Sequence, residues 1–477
     1  MIVNPYTWQD WNAVLPLFIV GASALVVLLA DLVARKYAER YVSIGIGIAG
    51  LIVAGVYAAL SFGKPAHDAF FGGFILSGFS IVFQEIIIIA AIFSLALYGS
   101  IGRADRIAGS VALMLWSTTG AMLMAGAANL MTIFLGLELL SLALYCLCGL
   151  ADRPTAREAA LKYLILSSTA SGFLLFGMAM LFGATGSVSL GALSSPALAG
   201  NPLYWVGAGL FLIGIAFKLS LVPFHVWSPD VYEGAPLPVT AFMSVVTKAA
   251  TLAVFARFTY AALAPGTPFA LLLPMYVIAG ISMIVGNLGM LGQTDMKRLL
   301  AYSGVAQIGY IVAALAGGTA LGVRYAIFYL VAYMFMNLGA FAVVALLSTD
   351  QEEGSRIRSF AGLASRRPAL AAAMSFFLLA LAGFPPTAGF LGKILILSVN
   401  VTAGFAWLAA LLIAGTAISL YAYFKVLRLM YAREASAPAA PVVRAPLAYV
   451  GVCVCVLFLL VMTFYPYTPS NVLPLPR

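Results

Sequence analysis

Charge is what this chain has least of. Asp, Glu, Lys and Arg make up 9% of its 477 residues, against 63% hydrophobic residues. A soluble domain carries about 25% charged residues, and chains beyond roughly 250–300 residues split into separate cores. The scarcity excludes an ordinary soluble protein. Histidine is nearly absent: His67 and His225 are too few and too far apart for a metal cluster. The four cysteines, Cys146, Cys148, Cys453 and Cys455, form two C-x-C pairs inside apolar runs. Two residues apart on a helix point to nearly opposite sides, so neither pair chelates a metal together. No Walker motif, haem-ligand pair or iron–sulfur spacing is present, and Gly286, Gly289 and Gly292 lie in an apolar run, where they read as close helix packing. The chain therefore reads as free of its own cofactor, metal or nucleotide. The net charge of +9 comes with no basic stripe and interleaved aromatics, so nucleic acid is not an expected partner.

What the chain has instead is one apolar run after another, each near the ~20 residues a membrane-spanning helix needs. The first, Trp11 to Leu32, ends in Arg35, Lys36, Glu39 and Arg40. It is too long for a signal-peptide core and lacks a basic leader, so it reads as a retained helix. About fourteen spans follow from the hydropathy, at 11–33, 41–62, 74–99, 107–126, 128–150, 157–183, 203–227, 237–263, 269–291, 297–317, 322–348, 369–399, 403–430 and 445–467. The bias of loop cations tests the count. With the N-terminus outside, the inner side holds Arg35, Lys36, Arg40, Arg103, Arg106, Arg153, Arg157, Lys162, Lys297, Arg298, Arg356, Arg358, Arg366, Arg367, Arg428, Arg433 and Arg444. The outer side receives only Lys64, Arg257, Arg324 and Arg477. A miscounted span would scramble this alternation, so both termini are expected on the outer face.

Two spans are interrupted by proline: the seventh at Pro223, and the twelfth within Gly383-Phe384-Pro385-Pro386-Thr387-Ala388-Gly389. Such breaks free backbone carbonyls and survive in lipid only inside protein or beside wet cavities. They lie five spans apart. Spans 4–8 and 9–13 are then two copies of one unit, and because five is odd the second copy is inverted, as in many transporters. The division this gives is 1–103 for a three-helix segment, 104–263 for the first repeat, 264–432 for the inverted second and 433–477 for the last helix. Lys218 precedes its proline break and Lys393 follows its own, while Lys248 and Lys425 match in span order.

Glu138, Lys218, Lys248 and Lys393 sit deep in these spans. A charge at mid-bilayer costs about 2.5–3.5 kcal/mol on insertion scales. One acid and one base can pair simply to hold two helices together, which accounts for one lysine opposite Glu138 and leaves the others without an acid. The functional alternative is proton transfer. Removal from water lowers a lysine pKa by up to ~5 units. A neighbouring carboxylate holds the proton in place, and its withdrawal releases it; Glu138 would act so on Lys218. Arginine cannot serve, because it does not deprotonate. Polar stripes at helical spacing more often make helix–helix hydrogen bonds than relays, but can supply either: Ser141 and Tyr145; Ser244 and Thr251; Ser303, Gln307 and Tyr310; Tyr325, Tyr329, Tyr333 and Asn337. His225, just past the first break, is a relay candidate because imidazole titrates near neutrality, or else it bonds a freed carbonyl. Glu158 and Lys162 form either an intrahelical ion pair or a proton-uptake point. Asp31 and Arg35 read as an interfacial pair. Glu85, beside the run Ile86 to Ile89, is either functional or a contact for a partner subunit.

The segments KLSLVPFHVWSPDVYEGAP (Lys218 to Pro236), KRLLAYSGVAQIGY (Lys297 to Tyr310) and LMTIFLGLELLSLALYCL (Leu130 to Leu147) resemble the broken seventh, the tenth and the fifth helices of the antiporter-like subunits of respiratory complex I. The resemblance covers spans 4–13, and the Mrp sodium/proton antiporters share it. Within the family, the ending SPDVYEGAP, a lysine rather than glutamate at 393, the wording of the fifth span and the lack of a long lateral helix after the fourteenth favour one of the three bacterial subunit types. The resemblance implies that Glu138 and Lys218 are a coupled pair, Lys248 the central relay and Lys393 the terminal group facing an outer half-channel. It also implies partners: another antiporter-like subunit, small membrane subunits and lipids, with FMN, iron–sulfur clusters and quinone held by other chains of the complex in a bacterial inner membrane. Gln307 departs from the family, which often has histidine there; glutamine cannot titrate. The expectation is an all-α, polytopic protein that translocates protons. An Mrp-type sodium/proton antiporter subunit and a structural membrane scaffold are the alternatives.

Overall fold

A computed structural model describes residues 6–33, 39–101, 107–262, 272–316, 318–348, 354–432, 445–465 and 474–476. Arg35, Lys36, Arg103, Arg106, Arg433, Arg444 and Arg477 lie outside the described residues, as do the Asp31–Arg35 pair and the division points at 103 and 263. The helices run α1 (Trp8–Val33), α2 (Glu39–Ala59), α3 (Gly78–Ile101), α4 (Ile107–Gly126), α5 (Leu130–Gly149), α6 (Pro154–Thr185), α7 (Pro202–Leu219), α8 (Trp227–Gly234) and α9 (Leu237–Ala262). They continue α10 (Leu273–Met290), α11 (Met296–Ala314), α12 (Ala320–Leu346), α13 (Leu363–Arg366), α14 (Pro368–Ala382), α15 (Ala388–Thr402), α16 (Ala406–Tyr431) and α17 (Pro446–Phe464). A short antiparallel hairpin, β1 (His67–Ala69) with β2 (Phe74–Leu76), joins α2 to α3.

Local chemistry sets the helix ends. Proline stands at the start of α6, α7, α14 and α17, where its missing N–H costs nothing. Asn129, Asn201, Asp295, Thr319 and Thr387 cap α5, α7, α11, α12 and α15 through their side chains. Twelve of the described helices are long and apolar enough to cross a membrane. Two further crossings fall short of that measure for physical reasons. α11 spends its length on Lys297, Arg298, Ser303, Gln307 and two tyrosines, and the twelfth span is divided into α14 and α15.

α9 and α12 are buried almost throughout and form the centre, whereas α1, α2, α6, α16 and α17 expose much of their apolar surface. Glycine permits the tightest crossings. A Cβ on Gly120 of α4 would lie 2.5 Å from the Leu140 amide nitrogen of α5, and one on Gly286 of α10 would lie 2.7 Å from that of Ala306 on α11. Helices 4–5 and 10–11 thus pack with the same device. In each cysteine pair one side chain is exposed (Cys146, Cys453) and the other buried (Cys148, Cys455), as opposite helix faces require.

Candidate functional site

Two gaps in helical geometry organise the interior. α7 stops at Leu219 because Ser220 adopts a left-handed conformation, φ 58°, and Pro223 follows with no N–H to give. The chain resumes as α8 at Trp227. α14 stops at Ala382 because Gly383 is left-handed, φ 79°, with Pro385 and Pro386 behind it. Glycine is required there twice over, since a Cβ on Gly383 would also lie 2.8 Å from the Lys393 Cδ. Each break contains one cis X-Pro bond, Val222–Pro223 and Pro385–Pro386.

Each break leaves carbonyls that need donors, and lysines supply them. The Phe217 carbonyl accepts from the Trp227 indole at 3.0 Å. The Lys218 carbonyl accepts from the Lys248 ammonium of α9 at 3.2 Å, and the same ammonium bonds the Ser220 hydroxyl. At the second break the Lys393 ammonium donates to the carbonyls of Leu381, 3.1 Å, and Ala382, 2.9 Å. Lys218, Lys248 and Lys393 are 2%, 1% and 4% exposed, so none meets solvent. Aromatic faces complete their surroundings: Tyr163 lies 5.4 Å from the Lys218 ammonium, Trp227 5.4 Å from Lys248 and Tyr310 4.8 Å from Lys393.

Glu138 and Lys218 stand differently from a direct pair. The Lys218 ammonium donates to Ser141 of α5 at 2.6 Å and to Ser167 of α6 at 2.7 Å. Ser141 in turn donates to the Leu137 carbonyl, one turn back. Glu138 is half-buried, its Oε1 has no hydrogen-bond partner, and among the described residues no ion pair joins it to Lys218. The serines occupy the lysine; the glutamate lies one turn from Ser141 on the same helix.

Between the breaks runs a series of polar side chains. Ser244, one turn before Lys248, accepts from the Asn337 amide at 2.6 Å, and the Ser244 carbonyl accepts from Tyr333 at 3.3 Å. One turn along α12, Tyr329 donates to the Gln307 Oε1 at 2.5 Å, and the Gln307 amide donates to the Leu381 carbonyl at 2.9 Å. That carbonyl is one Lys393 also uses. Tyr310, under the Lys393 ammonium, accepts from Asn287 at 2.8 Å. Ser303 bonds Tyr423 of α16 at 2.6 Å. Lys218, Lys248, Gln307 and Lys393 are therefore joined by α5, α6, α7, α9, α11, α12 and α15 into one buried polar axis.

Other candidates fall off this axis. Lys425 is exposed and donates to the Leu291 carbonyl at 3.2 Å. His225 is half-buried beside Tyr302, with no hydrogen-bond partner for its Nδ1 among the described residues. Glu158 and Lys162 pair at 2.8 Å on the surface. Lys162 also reaches Asp230 at 3.1 Å, and Arg298 bridges Asp230, 2.6 Å, and Glu233, 2.9 Å. Asp230 and Glu233 were not singled out by sequence, and Arg298 only as an inner-side cation, although acids three apart in SPDVYE are a visible signal of one polar helix face. Glu85 is half-buried, with its Oε2 3.3 Å from where a Gly55 Cβ would stand. Two cations counted by their side of the membrane have buried side chains. Lys297 is buried and donates to the Ala235 carbonyl at 2.8 Å, because the turn after α8 folds over it. Arg257 is buried against Phe79 and donates to the Ala125 carbonyl at 3.3 Å.

Fold and axis together define a polytopic membrane protein of the antiporter-like class. The sequence pattern of the NADH:quinone oxidoreductase/Mrp antiporter transmembrane family matches residues 127–419. Subunit N 1 of NADH-quinone oxidoreductase from Symbiobacterium thermophilum is 41% identical over 434 residues, which are 89% of this chain and 88% of that one. Subunit N from Trichlorobacter lovleyi is 39% identical over 427 residues, 88% of this chain and 87% of its own. Among solved structures, a chain of respiratory complex I from Thermus thermophilus with bound aureothin aligns with a TM-score of 0.83 at 33% identity, over 95% of this chain and 98% of that one. A chain of the Mrp complex from a Dietzia species shares the fold, TM-score 0.78 at 20% identity, over 98% and 100% of the two chains. The chain belongs to the NADH:quinone oxidoreductase/Mrp antiporter family, in its NADH-quinone oxidoreductase subunit N branch.

Proposed function

We propose that this protein moves protons across a bacterial inner membrane as an antiporter-like subunit of NADH-quinone oxidoreductase, with Lys218, Lys248 and Lys393 as the proton-carrying groups. The observation that carries this is the axis: three ammonium groups removed from solvent, each held by neutral oxygens, not a carboxylate, and linked by hydroxyl and amide side chains. A frozen scaffold needs compensated charges, and Lys248 and Lys393 are held only by dipoles and ring faces, while Lys218 has Glu138 near it but not bonded to it. Glu138 modulates Lys218 from one turn away through Ser141. Lys248 relays between the breaks, Lys393 delivers toward the outer half-channel, and Tyr310 lies beside it. Where successive groups are a turn apart, as at Lys248–Ser244 and Tyr333–Tyr329, water completes the path. Glu158 and Lys162 mark the inner side where protons are taken up. His225 and Lys425 hold places beside the path, His225 close to the first break.

The same reading divides the chain into the two inverted five-helix units bounded near 104–263 and 264–432, with both termini on the outer face. Flavin, iron–sulfur clusters and quinone belong to partner chains, which include another antiporter-like subunit and small membrane subunits. In the assembled complex, Lys248→Ala or Lys393→Ala should lower proton uptake coupled to NADH–quinone turnover by roughly tenfold or more, the scale lost with a general acid–base group. Arginine at either position should not restore it, because it keeps the charge but gives up no proton. Normal coupled pumping in both alanine variants would refute the proposal. Loss of sodium-dependent antiport alone would favour the Mrp alternative.

A further inference from the structure

The end of the bundle that carries the start of α1 holds a cavity of about 420 Å³, away from the polar axis. Its wall comes from Gln9 and Asn12 of α1, Tyr57 and Ser61 at the end of α2, Lys64 in the turn that follows, and His67 of β1. Two acids stand near it: Asp68, exposed on β1 beside His67 and close enough to Arg257 to interact with it, and Asp10, whose oxygens are already occupied. Asp10 accepts from the Thr7 amide at 2.7 Å, the Thr7 hydroxyl at 2.9 Å and bonds His67 at 2.9 Å. Asn12 Oδ1 is likewise taken, by the Tyr57 hydroxyl at 3.2 Å. The cavity also faces groups able to donate: the Asn12 and Gln9 amides, the Ser61 hydroxyl and the Lys64 ammonium, the last with no carboxylate within ion-pair distance among the described residues. The cavity is therefore set for an anion with several acceptor oxygens.

Its surroundings are those of a membrane boundary. Trp8, Trp11, Phe62 and Phe71 are exposed around it, and Tyr6 and Trp11 pack on Phe70 at 5.2 and 5.4 Å. Aromatic rings of this kind gather at headgroup level. From that level exposed apolar stripes run down α1, through Phe18, Leu25 and Leu29, and along α2, through Val56 and Ile52. A donor-lined pocket above two apolar stripes matches a molecule with an anionic head and hydrocarbon tails. We infer that this cavity is a binding site for the phosphodiester headgroup of a glycerophospholipid, with Lys64 as its cationic anchor.

The test uses the assembled complex in its membrane and a phosphatidylglycerol bearing a photoactivatable diazirine on its headgroup, with adducts mapped by peptide mass spectrometry. Labelling is expected on the peptides around Gln9–Ala13 and Tyr57–Ser77. Lys64→Glu should cut it by about fivefold relative to labelled peptides elsewhere in the complex, the effect of one cation near an anionic headgroup. Lys64→Arg should retain it. Equal labelling in wild type and Lys64→Glu overturns the site. Competition by millimolar inorganic phosphate overturns the lipid as its source and assigns the pocket to a soluble anion.

Discussion

At the scale of single residues, the economy of the site lies in how neutral groups replace counter-ions. Lys218 is held by two serine hydroxyls, Lys248 by a carbonyl and a serine, and Lys393 by two carbonyls. Dipoles accept from an ammonium without trapping its proton as a carboxylate would, and a charge-assisted bond of this kind still contributes about 1.5–3 kcal/mol. Gly383 makes the second of these arrangements possible, since it supplies both the left-handed turn and the space for the lysine stem. Gly383→Ala is expected to destabilise the twelfth crossing by about 1–3 kcal/mol and to lower coupled turnover along with it. Heat-inactivation of the assembled variant, measured against wild type, checks this; unchanged inactivation would mean that the stem relaxes around a methyl group. Sequence made the three deep lysines visible because they interrupt apolar runs. It did not reveal Ser141 and Ser167 as the groups that hold Lys218, because serine is as frequent in ordinary helix packing as at a site.

At the scale of elements, α8 is the piece that sequence reading resolved least. It is eight residues long, and its polar face is tied to α6 and α11 by Asp230, Glu233, Lys162 and Arg298. Partial burial raises the Asp230 pKa, but the hydrogen bonds from Lys162 and Arg298 outweigh it and hold the carboxyl below its ordinary value. A carboxylate so depressed stabilises the folded state above its unfolded pKa of about 3.9 and loses that contribution as pH falls through the lower native value. The anchoring of α8 should thus be constant from pH 5 to 8 and fail only below about 4. Asp230→Asn should release it throughout the neutral range, by a few tenths to about 1 kcal/mol, given how exposed the cluster is. Amide exchange in α8 measures both; equal exchange in variant and wild type at pH 7 would show that packing alone holds the helix. The burial of Lys297 was not foreseen, for the same structural reason. Hydropathy places it at a helix end, but only the turn after α8, folding back, covers it.

At the scale of the whole molecule, hydropathy was enough to find the apolar helices, because lipid forces every backbone group into helix and leaves long apolar runs as the trace. What hydropathy and loop charge could not give was lateral packing. Lys425 matches Lys248 in span order yet lies exposed, and Arg257 counts as an outer charge yet is buried. The proposed orientation has a direct test. A cysteine at Ser195, between α6 and α7, should react with a membrane-impermeant maleimide added outside, and one at Asp152, between α5 and α6, only after the membrane is opened. The reverse pattern would invert the protein and the direction of the path. The two breaks, finally, are not served alike. Lys248 reaches its break from another helix, whereas Lys393 reaches its own from the segment just beyond it. Sliding α9 past α7 would part the first contact, while no rigid movement of the α14–α15 hinge region against its neighbours need disturb the second. One contact is thus a latch between two separate helices and the other a clasp within a single stretch of chain.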